Sequence, residues 1–173
     1  MSSKICKILG SPPPVNLIYE LFLDDKGQKI SKSIGNGISI DEWLKYSNQE
    51  SLSLFMFQRP TTAKKLHFDI IPKNTDEYLN HLLKYSDDNT NGDNPVWHIH
   101  KEDKIKFNTK INYSLILNVI SVCKTDDPNV VLGLLRNYQS DFSKTELDII
   151  INLITKGINY FNDFIQARVS EVW

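Results

Sequence analysis

Three segments of this chain share one device. Ser39-Ile40-Asp41-Glu42, Ser47-Asn48-Gln49-Glu50 and Ser143-Lys144-Thr145-Glu146 each set a serine three residues before a glutamate. A serine hydroxyl so placed accepts the glutamate N–H while the carboxylate reaches back to the serine N–H, so two donors left unpaired at a helix start are satisfied together. Apolar residues at helical spacing follow each box, which commits the chain to a mainly α fold. After the third box, Leu147, Ile150, Ile151, Ile154, Ile158, Phe161 and Ile165 share a face, with Asp148, Asn152, Asn159 and Asp163 opposite. That pattern predicts one long amphipathic helix, in whose middle Gly157 marks close packing or a bend. The second box opens a helix through Leu52, Leu54, Phe55 and Phe57 that Arg59-Pro60 ends. Pro72 suits the first turn of another, with Tyr78, Leu79, Leu82 and Leu83 as its apolar face. Tyr113 to Cys123 is apolar almost all round and reads as a central, buried helix. Asp127-Pro128 supplies an N-cap and first-turn proline for a helix through Tyr138. Ser86 to Asn94 is polar and turn-rich, a surface loop or linker.

Before about Asn36 the character differs. Asn16 to Leu23 is rich in β-formers and reads as a strand; Asp24-Asp25-Lys26-Gly27 is a turn, and Gln28-Lys29-Ile30 a short return strand. The hairpin leads into Lys29-Ile30-Ser31-Lys32-Ser33 and then Ile34-Gly35-Asn36-Gly37. Two cations, two hydroxyls and glycines that let a loop close suit a polyphosphate. By composition alone the same residues make a solvated surface loop. Their place between a hairpin and a capped helix start, where free N–H groups point outward, favours the anion site.

The five residues resemble the KMSKS signature of class I aminoacyl-tRNA synthetases, with Ile30 in place of methionine. The likeness lengthens from Tyr19 through Leu44, in Leu54 to Pro60, in Ala63 to Pro72 and in Asn94 to His100. Over these stretches the chain is similar to the class I lysyl-tRNA synthetases, more weakly after about Lys101. The short motif alone also suits glutamyl or cysteinyl enzymes. The resemblance implies a ligase that activates lysine with ATP and magnesium and transfers it to lysine tRNA. It implies that Lys32 is the catalytic cation and that Lys29, Ser31, Lys32 and Ser33 hold the ATP phosphates. It also implies an organisation: residues 1–38 as the end of the catalytic region with the hairpin and signature loop, 39–94 as a helical stem-contact-like region, and 95–173 as a helical anticodon-binding bundle.

The second signature of that class, two histidines around Ile-Gly upstream of the loop, is missing. Histidines stand only at 67, 81, 98 and 100. Neither a Gly-rich dinucleotide fingerprint nor a repeated strand–helix–strand pattern occurs. A doubly wound nucleotide-binding domain needs roughly 100 residues, and only 28 precede Lys29. The chain therefore reads as the C-terminal part of such an enzyme without its catalytic fold, inactive by itself and binding no cofactor tightly. The reading from another class is a stand-alone helical RNA-binding or scaffold module that keeps the loop as a relic.

At 173 residues and 40% hydrophobic, the chain can bury a core in one or two domains. A net charge of −1 supplies no global basic field, so a tRNA must be met by local patches and DNA is not an expected partner. Arg59, Lys64, Lys65 and His67, interleaved with Phe55, Phe57 and Phe68, form the densest basic-aromatic segment. They suit either phosphate contacts near the loop or core aromatics with solvated cations. Tyr138 and Arg136 are candidates for stacking on unpaired bases. Read as a strand, Trp97 to His100 places His98 and His100 on one face. A metal needs three or four ligands and no cysteine or acidic residue is spaced to join them, so no metal is assigned. Cys6 and Cys123 are isolated, which suits a reducing cytoplasm. No signal-peptide or membrane-spanning apolar run occurs.

Overall fold

The computed structural model of the chain describes residues 2–87, 92–100 and 105–166. Two of the three capping boxes form. Ser39 Oγ accepts the Glu42 N–H at 3.2 Å and Glu42 accepts the Ser39 N–H at 2.7 Å, which starts helix α2 (Ile40–Tyr46). Ser143 and Glu146 do the same, at 3.3 and 2.8 Å, for the helix Lys144–Tyr160. The second box does not form. Ser47 is used as the C-cap of α2, its N–H on Trp43 O at 2.9 Å. The start of α3 (Gln49–Phe57) therefore falls to Asn48, whose side chain accepts the Ser51 N–H at 3.2 Å. With one helix ending where the next begins, a single serine cannot serve both. The Ser47 hydroxyl instead bonds Ser51 Oγ at 2.9 Å and Thr75 Oγ1 at 2.6 Å, both buried, tying the helix corner to α4 (Ile70–Asp87). As expected, α3 ends before Arg59-Pro60, and Arg59 takes a left-handed φ of 45°.

Beyond α4 come α5 (Pro95–His100), α6 (Tyr113–Cys123), α7 (Pro128–Leu135) and α8 (Lys144–Tyr160), which runs on into a π-helical turn, Phe161–Gln166. The bundle centres on α8, which packs on α2, α6 and α7, while α4 packs on α3, α5 and α6. At Gly157 the two long apolar helices touch. A Cβ there would stand 3.1 Å from Ile120 Cδ1 and 3.3 Å from Ile116 Cγ2, so the glycine marks close packing. Leu54, Ile71, Leu82, Ile116, Leu135 and Ile150 are fully buried, each stabilising by about 1.5–3 kcal/mol. The polar groups taken inside are paired. Trp43 Nε1 donates to Ser51 Oγ at 3.2 Å, and the Tyr113 hydroxyl donates to Tyr46 O at 2.6 Å. Burial raises the pKa of that phenol well above the usual tyrosine range.

Several expectations need correction. Asn16 to Leu23 is not a strand throughout: only Phe22–Leu23 (β1) pairs, in parallel with Lys64–Lys65 (β2), while residues 11–20 are exposed. A short N-terminal helix, α1 (Ser2–Ile8), precedes it and has no counterpart in the sequence reading. Trp97 to His100 lies in helix α5, where residues two apart point to different sides, so the histidines do not share a face. Helix α6 is buried on one face only: Ile116 and Ile120 are buried, whereas Val122 is 84% exposed. Helix α7 stops at Leu135, three residues before Tyr138. Of the expected loop from Ser86 to Asn94, residues 88–91 lie outside the described residues.

Candidate functional site

The signature loop is anchored from below by aromatic packing. Phe22, on β1, stacks on Phe55 of α3 at 5.9 Å between ring centroids, and Phe55 meets Trp43 of α2 at 5.5 Å. From Phe22 the chain turns back as a hairpin, but the expected return strand Gln28-Lys29-Ile30 is reduced to a single bridge at Lys29. Asp24 N–H donates to Gln28 O at 2.8 Å, Ile30 N–H donates to Phe22 O at 3.1 Å, and Leu23 bridges Lys29 in antiparallel fashion. Gly27 provides the left-handed residue of the turn, with φ of 80°.

Asp24 is 7% exposed, and a buried carboxylate needs partners. It accepts the Asn36 side-chain amide at 2.8 Å and the Gln28 N–H at 2.7 Å. These bonds, Asn36 first, hold its pKa below the ordinary aspartate value. Asn36 in turn accepts the Ser31 N–H at 2.9 Å and donates to Lys29 O at 3.3 Å. Ser31 O receives the N–H groups of Ile34 at 3.2 Å and Gly35 at 3.0 Å, closing a tight turn in which Gly35 has φ of 69°.

Lys32 and Ser33 ride on that turn and are exposed, as is Lys29 at the end of the hairpin. The structure brings Ser31 and Ser33 together, their hydroxyls 2.8 Å apart. The ammonium groups of Lys29 and Lys32 have no hydrogen-bond or ion-pair partner among the described residues. Behind the loop lies a cleft of about 350 Å³ lined by Asp24, Asn36, His67, Phe68, Asp69 and Phe164. Carboxylates on its wall disfavour a polyphosphate there.

The basic-aromatic segment divides. Lys64 is half-buried and its ammonium is engaged within the fold: it donates to Gln58 O at 2.6 Å and to Phe55 O, capping the end of α3. It also lies over the Phe22 and Phe55 rings, 5.6 and 4.9 Å from their centroids, and burial lowers its pKa. Lys65 donates to Asp25 O at 3.0 Å, and His67 is half-buried in the cleft. Phe55 is buried and Phe68 packs on Phe164, whereas Phe57 and Arg59 are exposed. The two histidines of α5 serve different neighbours: His98 Nε2 meets Gly92 O at 3.1 Å and His100 Nε2 meets the Tyr78 hydroxyl at 3.0 Å. Among the described residues, no cluster of three His, Cys, Asp or Glu side chains is placed to hold a metal. Tyr138 and Arg136 are exposed just past α7, where Tyr138 borders a groove of about 450 Å³ with Leu115, Val119, Val122, Leu134 and Asn137.

Asp24 and Asn36 escaped the sequence reading. The available signal was the Asp24-to-Gly27 turn, since an aspartate opening a tight turn tends to accept nearby N–H groups. A partner twelve residues away left no such trace.

A model of the class I (K) tRNA synthetases matches residues 1–103. The chain is 49% identical over 172 residues to the lysine–tRNA ligase of Rickettsia peacockii (strain Rustic), and equally to that of Rickettsia bellii (strain OSU 85-389). It is 50% identical over 170 residues to that of Rickettsia conorii. These matches take in 96–97% of this chain and 33% of each relative, so the chain spans about a third of their length. No solved structure matches. Among the described residues, no helix is long and apolar enough to cross a membrane.

Proposed function

This chain belongs to the class I (K) tRNA synthetase family, and from that premise we propose that it is the C-terminal portion of a lysine–tRNA ligase, carrying the ATP signature loop and the helices that meet tRNA. The observation that carries the reading is the loop itself: Lys29 and Lys32, exposed and without a partner among the described residues, alternate with Ser31 and Ser33, whose hydroxyls are paired, on a turn pinned through Asn36. In lysine activation the substrate carboxylate attacks the α-phosphorus of ATP and pyrophosphate leaves. The lysyl adenylate then passes its acyl group to a tRNA hydroxyl and AMP departs. Negative charge builds on the α-phosphate and leaving group during the first step, where a cation stabilises the transition state more than the ground state. Lys32 supplies that cation; Lys29, Ser31 and Ser33 hold phosphate oxygens. Magnesium, carried by ATP rather than by side chains of this chain, would shield the phosphate charge.

Residues 1–38 close the catalytic region, 39–94 face the tRNA stem and 95–173 face its anticodon, with Tyr138 and Arg136 as stacking and phosphate-contacting candidates. Support for a larger whole comes from the N-terminal arm, where Ile8, Leu9, Val15, Leu17, Ile18 and Tyr19 are all more than 70% exposed. Apolar surface of that extent on one segment marks an interface. The enzyme is proposed to work in the cytoplasm without DNA or membrane partners, and the 173-residue chain alone to be inactive.

The test joins this chain to the two thirds of a Rickettsia lysine–tRNA ligase that it does not cover and measures lysine-dependent ATP–pyrophosphate exchange. Lys32→Ala is expected to slow exchange by about 10²–10³-fold, the usual loss for one transition-state charge donor, with little change in the lysine KM. An unchanged rate in Lys32→Ala beside a dead Lys29→Ala would reverse the two roles.

A further inference from the structure

The register of the loop depends on one amide. Asn36 Oδ1 accepts the Ser31 N–H, and Nδ2 donates to Asp24 Oδ2 and to Lys29 O. Flipping the amide would set donor against donor at Ser31 and acceptor against acceptor at the other two, so this orientation alone satisfies all three. Asp24 is itself fixed by the Gln28 N–H at 2.7 Å. Across the loop, Ile30 presses on Gly37 so closely that a Cβ at 37 would stand 2.5 Å from Ile30 Cγ2. Ile30 and Ser31 are thereby held, and Lys32 is the next residue.

We infer that Asn36, oriented by Asp24, is the positioning residue that sets where Lys32 presents its ammonium. This rests on the signature-loop reading above. Asn36 is half-buried and the turn at 32–35 is exposed, far in character from the core at Trp43 and Leu54. Loss of the amide therefore releases the turn without unfolding the bundle. An Asp24 carboxylate facing a second carboxylate at 36 is worse than no partner, because two like charges meet and Lys29 O loses its donor. Exchanging the pair, D24N with N36D, restores a donor opposite an acceptor between 24 and 36 and leaves only Lys29 O without its donor.

The test uses the joined enzyme and ATP–pyrophosphate exchange. Asn36→Asp is expected to lower kcat by about 10²-fold with the lysine KM within about twofold, and the exchanged pair to regain about tenfold or more. In a Lys32→Ala background Asn36→Asp is expected to add little, since residues that act as a unit are not additive. Full additivity with Lys32→Ala, or no gain in the exchanged pair, would overturn the inference. A wild-type rate in Lys32→Ala would overturn the positioning role, and wild-type rates in both Lys32→Ala and Lys29→Ala would overturn the signature-loop reading itself. Amide hydrogen exchange on the 173-residue chain reads the clasp apart from catalysis. Ser31 N–H is expected to exchange at least about tenfold faster in Asn36→Ala; equal rates would overturn the clasp.

Discussion

Glu146 shows how one side chain fastens two segments. Its carboxylate closes the box at the start of α8 and also accepts the Asn108 N–H at 2.7 Å, so the segment before α6 is tied to α8. Burial pushes its pKa up, but the bonds from Asn108 and Ser143 together outweigh that and leave it below the ordinary glutamate value. A carboxyl lowered in the folded state contributes stability that is fully present above its unfolded pKa and is lost as pH falls through the folded one. Asp24, Glu42 and Asp163 are lowered too and act with the same sign. The melting temperature is therefore expected to hold from neutral pH to the ordinary carboxylate range and to fall below it. Glu146→Gln is expected to melt lower at pH 7 and to lose less on acidification; an acid limb as steep as the parent's would contradict this. At this scale the sequence shows which residues carry charge but not how far they reach. Lys29, Ser31, Lys32 and Ser33 are legible because they are contiguous. Asp24 with Asn36, Lys64 with the end of α3, and Glu146 with Asn108 are not, because each bond joins residues that only the fold brings together.

Helices α2 and α8 announce themselves because their caps are local, whereas the elements whose sequence points elsewhere depend on neighbours. Asn16 to Leu23 has the composition of a buried strand, but a strand needs a partner along its length, and here only Phe22–Leu23 finds one in β2. The short α5 is held by Val96 in the core and by Asn94, which accepts the Val96 N–H at 3.0 Å, more than by any period in six residues. Ser47 and Asn48 compete for one cap, and the competition is settled by the fixed corner between α2 and α3. Gly157 offers the sharpest test at the level of elements. A leucine there would drive its branched side chain into Ile116 and Ile120, both fully buried, and separate α8 from α6. Gly157→Leu is expected to lower stability by about 1–3 kcal/mol in urea unfolding despite its better helix propensity. A stabilised variant would show that the two helices are not in close contact there.

Taken whole, the molecule is a helical bundle preceded in the chain by an exposed apolar arm and a cationic loop pinned to a hairpin. The bundle is stable ground for the loop: Phe22, Phe55, Trp43 and Lys64 fasten the hairpin to α2 and α3, while the lysines of the loop face outward. An arm that exposes Leu17, Ile18 and Tyr19 just ahead of β1 has the character of a surface meant to be covered. The exposed lysines of the loop, which have no partner among the described residues, accord with the proposed reading in which the phosphates of ATP are what they meet. The most direct measurement is lysine-dependent ATP–pyrophosphate exchange by three samples: this chain alone, the uncovered two thirds of a Rickettsia relative alone, and the two joined in one polypeptide. Exchange is expected from the joined protein only. Equal exchange by the two thirds without this chain, or none from the folded, joined protein, would contradict it.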